Sequence, residues 1–261
     1  MYPVAWIAWA SGAAFVAFST ANPWYLLPLV GVAWFVHAAH RRDGPWARSF
    51  RMFLTFAVIA IVLRTGLVLF GTVNASNVVY AAYEGLRLGV LLVVFGTFNS
   101  VTDPFGVLRL APRRFHEPAL AAALALSIAP RTIAAAGRVR EAQELRGFRL
   151  RKWRSLPALA VPVLETGMEE AMTLAESMDA RGHGRGRRSR YRPERWSPGA
   201  VVTAASGLIA GSVFVSQAIA HRPDLIPITD PLTWPEATPW LVGVVLLLAV
   251  PGLLPRRDER R

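Results

Sequence analysis

The sequence predicts an all-α integral membrane protein, and three observations carry that prediction. Of its 261 residues, 53% are hydrophobic, and the mean hydropathy is +0.35. Several apolar runs are long enough to cross a hydrocarbon core of about 30 Å. The basic side chains, which give the chain a net charge of +12, are concentrated between those runs. A soluble domain would not need this combination, so we expect a multi-pass membrane protein.

Six apolar segments are candidate transmembrane helices. In order along the chain they cover residues 4–18, 24–40, 52–70, 80–98, 199–220 and 237–254. The first segment is the shortest. It lacks the basic residues that begin a cleavable signal peptide, and Asn22-Pro23 after it is typical of a turn, so we expect it to be retained. The chain contains no cysteine, which excludes disulfides and thiolate metal sites.

The basic residues lie mainly in three segments. Residues 41–51, 99–198 and the tail from 256 together hold 26 of the 29 Lys and Arg side chains. Basic residues near the ends of spans are retained on the cytoplasmic side during insertion, so these segments and both termini are predicted to be cytoplasmic. We therefore expect a multi-pass protein of the cell (cytoplasmic) membrane. The same rule accounts for the charge without a nucleic-acid partner, and none is expected.

The middle of the chain differs from its flanks and divides it into three parts. Residues 1–98 and 199–261 are predicted to be transmembrane, and residues 99–198 to form a cytoplasmic or interfacial module between spans four and five. Within this module, residues 119–129 are rich in Ala and Leu but end at Pro130, short of the ~20 residues that a span requires. From Thr132 the pattern is that of an amphipathic helix. We expect an element that lies at the interface or is buried against other helices, followed by a separate amphipathic helix.

A second amphipathic helix is predicted to follow the basic cluster at residues 149–154 and to run to Arg181. Its apolar positions include Met168 and Met172, whose flexible side chains pack adaptably against either a partner or an ordinary core. Beyond Gly182 the chain is rich in Gly and Arg, a composition typical of a mobile tether.

Both amphipathic helices are predicted to end in an Arg-Gly pair. Arg146-Gly147 ends the first, and Arg181-Gly182 ends the second. Glycine tolerates the left-handed conformation that terminates helices, and arginine in the last turn complements unsatisfied carbonyls, so each pair can be a simple cap. Alternatively, two matched tips suit a partner with two subunits, because the planar guanidinium binds carboxylates or carbonyls in a bidentate manner.

At these residues the chain resembles a known family, the transmembrane T component of energy-coupling factor (ECF) transporters, which includes the cobalt-transport permease proteins. The resemblance covers nearly the whole chain. In the first signature Leu145 stands where the usual Ala-Arg-Gly tripeptide has alanine. The matching residues are Ala142, Gln143, Arg146 and Gly147 in the first signature, Glu176, Met178, Asp179, Ala180, Arg181 and Gly182 in the second, and the segments Thr20-Ala21-Asn22-Pro23, Thr102-Asp103-Pro104 and Ala125-Leu126 through Pro130.

The resemblance implies a non-catalytic scaffold subunit of an ATP-driven importer. Its cytoplasmic coupling module would dock two ABC-type ATPase subunits through Arg146 and Arg181, with Gly147, Ala180 and Gly182 allowing close approach. The apolar helix faces would bind a small substrate-capture membrane subunit. That subunit selects the cargo in this family, so the residues of this chain do not distinguish a vitamin from a cobalt or nickel ion.

The chain itself is not expected to be an enzyme or to bind a cofactor. Its only lysine is Lys152, between Arg151 and Trp153, so the Gly-Lys-Ser/Thr end of a P-loop does not occur. ATP would therefore be bound by partner subunits. No catalytic, cofactor or metal residues are assigned.

Two constellations within the predicted spans have alternative interpretations. His37 and His40 lie one turn apart, where they could hold a metal ion or simply pack at the membrane interface. Arg64 lies deep in the third span, where a charge is costly unless it has a partner. It could pair with Glu84 at similar depth in the next span, or extend outward to the interface.

A second class of function is a self-contained secondary carrier or membrane enzyme. Such a protein would contain polar residues that converge within its spans, or half-matched inverted repeats whose helices are broken at mid-membrane. The polar residues of the predicted spans are mostly Ser, Thr and Asn near the ends. This composition favours the coupling subunit, and co-purification of ATPase chains would distinguish the two classes.

Overall fold

The computed structural model describes residues 3–40, 45–71, 74–147, 156–183, 196–227 and 234–254. All regular elements in these ranges are helical, and they contain no strand. The predicted basic cluster at residues 149–154, most of the Gly/Arg-rich tether and the basic tail lie outside the described residues. The all-helical class predicted from the sequence is confirmed for the part of the chain that is described.

The described helices fall into three groups along the chain. Four form the N-terminal part: α1 (Pro3–Ser19), α2 (Pro23–His40), α3 (Pro45–Gly66) and α4 (Ala75–Val101). Three lie in the middle: α5 (Pro104–Leu108), α6 (His116–Leu145) and α7 (Leu156–Ala180). Three complete the chain: α8 (Pro198–Ile219), α9 (Pro239–Leu247) and α10 (Val250–Leu253). Single 3₁₀ turns occur at Leu67–Phe70, Arg113–Phe115 and Pro223–Leu225.

Four of these helices are long and apolar enough to cross a membrane. They are Ser49–Gly66 within α3, all of α4, Glu117–Leu145 within α6, and all of α8. Such a set fits a multi-pass membrane protein, as the apolar runs predict. Three of the four coincide with predicted spans at residues 52–70, 80–98 and 199–220. The fourth, in α6, was predicted to be too short.

The predicted break at Pro130 is wrong. Helix α6 continues through Pro130 for 30 residues, so the Ala/Leu-rich element and the amphipathic helix are one element. Proline removes one N–H donor and crowds the preceding turn, but a long helix with many other hydrogen bonds can tolerate that loss. Pro28 in α2 and Pro162 in α7 lie inside continuous helices in the same way.

The first and last predicted spans differ from simple membrane-crossing helices. Helix α1 has 17 residues, and the described part of the segment 237–254 is divided into α9 and α10. The division falls at Leu248 and Ala249, just before Pro251, whose nitrogen has no hydrogen to donate. A total of six spans therefore stays a prediction.

The contacts divide the chain into two units. The first comprises Met1–Val107 and Glu194–Arg261, and the second comprises Leu108–Pro193. In the first unit, α1, α2, α4, α8 and α9 surround a core whose largest fully buried side chains include Trp9, Tyr25 and Phe214. Trp9 donates its indole N–H to the backbone oxygen of Leu248 at 3.0 Å, so its one polar atom is satisfied. The predicted boundaries at residues 98 and 198 stay predictions.

Helices α1 and α8 cross at glycine. A Cβ added to Gly207 would lie 2.4 Å from the Cα of Trp9, and one added to Gly12 would lie 1.9 Å from the backbone oxygen of Gly207. Neither position has room for a methyl group. Small residues allow backbones to approach closely where lipid provides no hydrophobic driving force between helices, and dispersion contacts then hold the pair.

In the second unit, α6 packs against α7. Most side chains of both helices are exposed, and Ala135 is the one buried hydrophobic residue among those described in this unit. The two helices therefore present large surfaces that their own packing does not cover.

Candidate functional site: the ends of α6 and α7

Helix α7 ends in a glycine cap stabilised by two backbone hydrogen bonds. Gly182 has φ +74°, in the left-handed region that favours glycine. Its N–H donates to the oxygen of Asp179 at 2.8 Å, and the N–H of His183 donates to the oxygen of Met178 at 2.9 Å. This pair of bonds is the Schellman motif, which satisfies carbonyls at the end of a helix. Arg181 is thereby fixed at the point where the helix stops.

Helix α6 ends in the same way. Gly147 has φ +85°, and its N–H donates to the oxygen of Glu144 at 3.0 Å. The N–H of Arg146 donates to the oxygen of Ala142 at 3.2 Å. The residue that would complete a Schellman motif, Phe148, lies outside the described residues. The predicted left-handed glycine after each arginine is confirmed at both helix ends.

The signature residues have identifiable places in these caps. The backbone oxygens of Ala142, Met178 and Asp179 accept cap hydrogen bonds. These residues therefore stabilise the helix ends through their backbone atoms. Gln143 and Met178 are half-buried, while Ala142, Glu176, Asp179 and Ala180 are exposed. The structure thus explains part of each signature as cap geometry.

Both tip arginines are exposed to solvent. No carboxylate of the described residues lies within ion-pairing distance of Arg146 or Arg181. A Cβ added to Gly147 or Gly182 would meet no atom within 4 Å, so glycine is required there by backbone conformation and not by packing within the chain. Each tip therefore offers a guanidinium and a small, uncovered turn to a partner.

Helix α7 has two apolar faces. One face is half-buried and includes Val163, Leu174 and Met178. The other is exposed, at 62–67% of each side chain, and comprises the four residues Val161, Leu164, Met168 and Met172. We call this second set the α7 stripe. The sequence predicted one set of apolar positions on this helix, with Met168 and Met172 among them. The structure divides the apolar residues between two faces, because steps of three and four residues place the stripe on its own side of the helix.

The two histidines at the end of α2 pack with aromatic residues. His37 stacks on Phe50 with ring centroids 3.7 Å apart, and its Nδ1 lies 2.7 Å from the hydroxyl of Ser100. His40 meets Trp6 edge to face at 5.4 Å. Within the described ranges, no group of three or more metal-binding side chains occurs. These contacts support the packing interpretation of the pair.

The predicted ion pair between Arg64 and Glu84 is not formed. Glu84 instead lies 3.4 Å from Arg87, one turn along the same helix. Arg87 also donates hydrogen bonds to the backbone oxygens of Ala17 and Phe18, where α1 ends. Glu84 can pair with an arginine three positions away on its own helix at a lower entropic cost than with an arginine on another helix. Arg87 thus satisfies the end of α1, a role that the sequence analysis did not assign.

A polar cluster in the first unit also escaped the sequence analysis. The carboxylate of Asp224 accepts hydrogen bonds from the hydroxyls of Tyr25, at 3.2 Å, and Thr238, at 2.5 Å. The side-chain amide of Asn22 donates to the backbone oxygens of Asp224, at 2.8 Å, and Glu236, at 2.7 Å. We call Asn22, Tyr25, Asp224 and Thr238 the Asp224 cluster. It ties the turn before α2 to the segments before α9.

Comparison with known proteins identifies no family. No family model matches the chain, and no curated protein sequence matches it.

Proposed function

We propose that this chain is the non-catalytic transmembrane scaffold of an ECF-type ABC importer. It couples ATP hydrolysis by two partner ATPases to movement of a substrate-capture membrane subunit that takes up a vitamin or a transition-metal ion. The observation that carries the proposal is the pair of helix ends, α6 and α7, each closing in an exposed arginine followed by a left-handed glycine.

The caps suit the transmission of force. Each arginine follows directly on a helix of 25 or 30 residues, and hydrogen bonds fix the backbone on both sides of it. A guanidinium held in this way binds a carboxylate or a set of carbonyls in a groove through several donors at once. When two ATPases close on ATP, displacement of their grooves moves the tips, and the helices carry that movement as rigid rods.

The α7 stripe is a suitable binding surface for a membrane-embedded or otherwise apolar partner. Four large apolar side chains follow one another along about three turns of α7 and remain exposed. A contiguous apolar surface of this kind marks an interaction site more often than isolated exposed residues do. Two of the four are methionines, which adapt to partners of different shape. In this proposal the stripe contacts the capture subunit.

The sequence contains no P-loop, because its only lysine, Lys152, is not followed by the serine or threonine that a P-loop requires. The proposal therefore assigns ATP binding and hydrolysis to the partner chains. Purified chain alone should show no ATP turnover, and turnover that persists after removal of every ATPase contaminant would contradict the assignment.

The decisive test is co-purification of ATPase chains with tip variants. The double variant Arg146→Glu and Arg181→Glu should lose the ATPases, because removing a charged contact at an interface costs about 2–5 kcal/mol and charge reversal adds repulsion. Affinity-tagged chain from native membranes, analysed by mass spectrometry, measures the retained ATPase.

Arg138→Glu is the matched control. Arg138 is exposed on α6, eight residues before the tip arginine, and carries the same charge. It should retain ATPase at the level of the unmodified chain. If the double variant retained ATPase equally well, the tips would not be the docking points. If no ATPase accompanied the unmodified chain, a self-contained carrier would replace the coupling subunit.

A further inference from the structure

The C-terminal half of the α7 stripe consists of two methionines. Met168 is 67% exposed and Met172 is 63% exposed, and they are the most exposed methionines among the described residues. They lie four residues apart on a continuous helix, so their side chains are neighbours on one side of it. Helix α7 thus presents a pair of adjacent thioether groups at its surface.

Sulfur chemistry in this chain is confined to methionine. The sequence has five methionines and no cysteine, so no thiol of its own competes for an oxidant. Met178 is half-buried beside the glycine cap, and Met52 lies in α3, one of the helices long and apolar enough to cross a membrane. Among the described methionines, a water-borne oxidant therefore has its most direct access to Met168 and Met172.

Hydrogen peroxide would oxidise each thioether of this pair by transfer of one oxygen atom. The sulfur lone pair attacks one peroxide oxygen, so that an S–O bond forms and the O–O bond breaks. Sulfur loses two electrons, and the other oxygen takes up the proton of the first and leaves as water. The product is methionine sulfoxide, which is polar and chiral, and reductases convert it back to the thioether.

The surroundings of the pair do not compensate for a new polar oxygen. Glu165 precedes Met168 by three residues, and Glu169 precedes Met172 by three, so these carboxylates are helical neighbours of the pair. An ionised carboxylate only accepts hydrogen bonds and cannot donate one to a sulfoxide. Contact of the oxidised stripe with an apolar surface would therefore bury an oxygen that these neighbours cannot satisfy, which is costly.

We propose that Met168 and Met172 form a reversible oxidation site, at which peroxide converts half of the α7 stripe from an apolar to a polar surface and prevents docking of the capture subunit. The effect on docking rests on the proposed function, in which the stripe contacts that subunit. Oxidation of the two sulfur atoms depends only on their exposure. The site makes the scaffold responsive to an oxidant without any thiol in the chain.

Peptide mapping of the full chain tests the oxidation site. The chain, purified in detergent without partners, is treated with hydrogen peroxide for increasing times, and catalase ends each reaction. Mass spectrometry then measures the gain of one oxygen at each methionine. Met168 and Met172 should be oxidised several times faster than Met178, which is half-buried on the same helix. Equal rates at the three positions would overturn the site.

Retention of the small membrane protein that co-purifies with the unmodified chain tests the effect on docking. After catalase treatment, the oxidised chain should retain this subunit about tenfold less well than the untreated chain, since the burial of one methionine side chain corresponds to at least that factor. Methionine sulfoxide reductases of both stereospecificities should restore retention.

The double variant Met168→Leu and Met172→Leu is the matched control. Leucine is similar to methionine in volume and has no sulfur, so this variant should bind the subunit both before and after peroxide treatment. The variant also shows whether oxidation elsewhere in the chain affects binding, because its other methionines remain.

The outcomes separate this inference from the proposed function. If the oxidised chain retains the subunit as well as the untreated chain does, or if the leucine variant loses it equally after peroxide, the two methionines do not control docking, while the coupling function stands. If no small membrane protein accompanies the untreated chain, the stripe lacks the partner that the proposed function assigns to it, and the effect on docking is refuted with that assignment.

Discussion

At the scale of single residues, Asp224 illustrates how a carboxylate can organise distant parts of the chain. Its side chain accepts hydrogen bonds from Tyr25 on α2 and from Thr238 just before α9. Its backbone oxygen accepts another from Asn22. Loss of the carboxylate would leave the hydroxyls of buried Tyr25 and half-buried Thr238 without their acceptor, and buried donors without partners are costly.

We therefore expect Asp224→Ala to destabilise the first unit by about 1–3 kcal/mol. The thermal midpoint, followed by tryptophan fluorescence in detergent, should fall by several degrees. Glu236→Ala is the control, because its exposed side chain has no described contact and only its backbone oxygen joins the cluster. Equal midpoints for the two variants would mean that the Asp224 hydrogen bonds contribute nothing measurable.

At the scale of helical elements, the two cap glycines explain why α6 and α7 stop where they do. Gly182 has no atom within 4 Å of an added Cβ, so a substitution there would act through backbone conformation alone. For a residue with a side chain, the left-handed conformation costs roughly 1–2 kcal/mol. A substitution at Gly182 therefore tests the effect of backbone conformation without a change in packing.

Gly182→Ala should loosen the end of α7. The N–H groups of residues 182 and 183, which form the cap hydrogen bonds, should exchange with solvent roughly five to thirty times faster, the factor that corresponds to about 1–2 kcal/mol. Hydrogen exchange with mass spectrometry on peptides that end near residue 183 measures this change.

The matched control is Gly167→Ala, in the interior of α7. An added Cβ there also meets no atom within 4 Å, and the backbone is helical. Alanine favours a helix over glycine by about 1 kcal/mol, so this variant should protect α7 amides or leave them unchanged. Similar acceleration in both variants would show that the left-handed conformation of residue 182 is not what holds the tip.

The helical elements also indicate what the sequence can and cannot predict. The long apolar helices α3, α4 and α8 could be predicted from apolar length, and the tip caps from glycine after arginine, because both are local properties. The continuity of α6 through Pro130 was missed, because the cost of one proline depends on the helix around it. The Asp224 cluster could not be predicted, since Tyr25 and Asp224 lie about 200 residues apart and only the fold brings them together.

At the scale of the whole molecule, the distribution of basic residues determines which side of the membrane the tips should face. The segment 99–198, which contains both tips, holds 18 of the 29 Lys and Arg side chains. By the positive-inside rule we expect the tips to face the cytoplasm, where ATP is available to partner ATPases. The coupling proposal requires this orientation.

Thiol labelling in whole cells tests the orientation. Thr173→Cys should react with a membrane-impermeant maleimide only after the cells are permeabilised, whereas Ala75→Cys, at the start of α4, should react in intact cells. Both positions are exposed, and the chain has no other thiol. Reaction of Thr173→Cys in intact cells would place the tips outside the cell and refute the coupling proposal.

The glycine crossing between α1 and α8 has a consequence for biogenesis. Gly12 and Gly207 are about 195 positions apart, so a ribosome adding 5–20 residues per second completes the second helix roughly 10–40 s after the first. During that interval the face of α1 around Gly12 has no α8 to pack against, and lipid or the insertion machinery must shield it. Helix α1 therefore reaches this neighbour only after α8 has been synthesised.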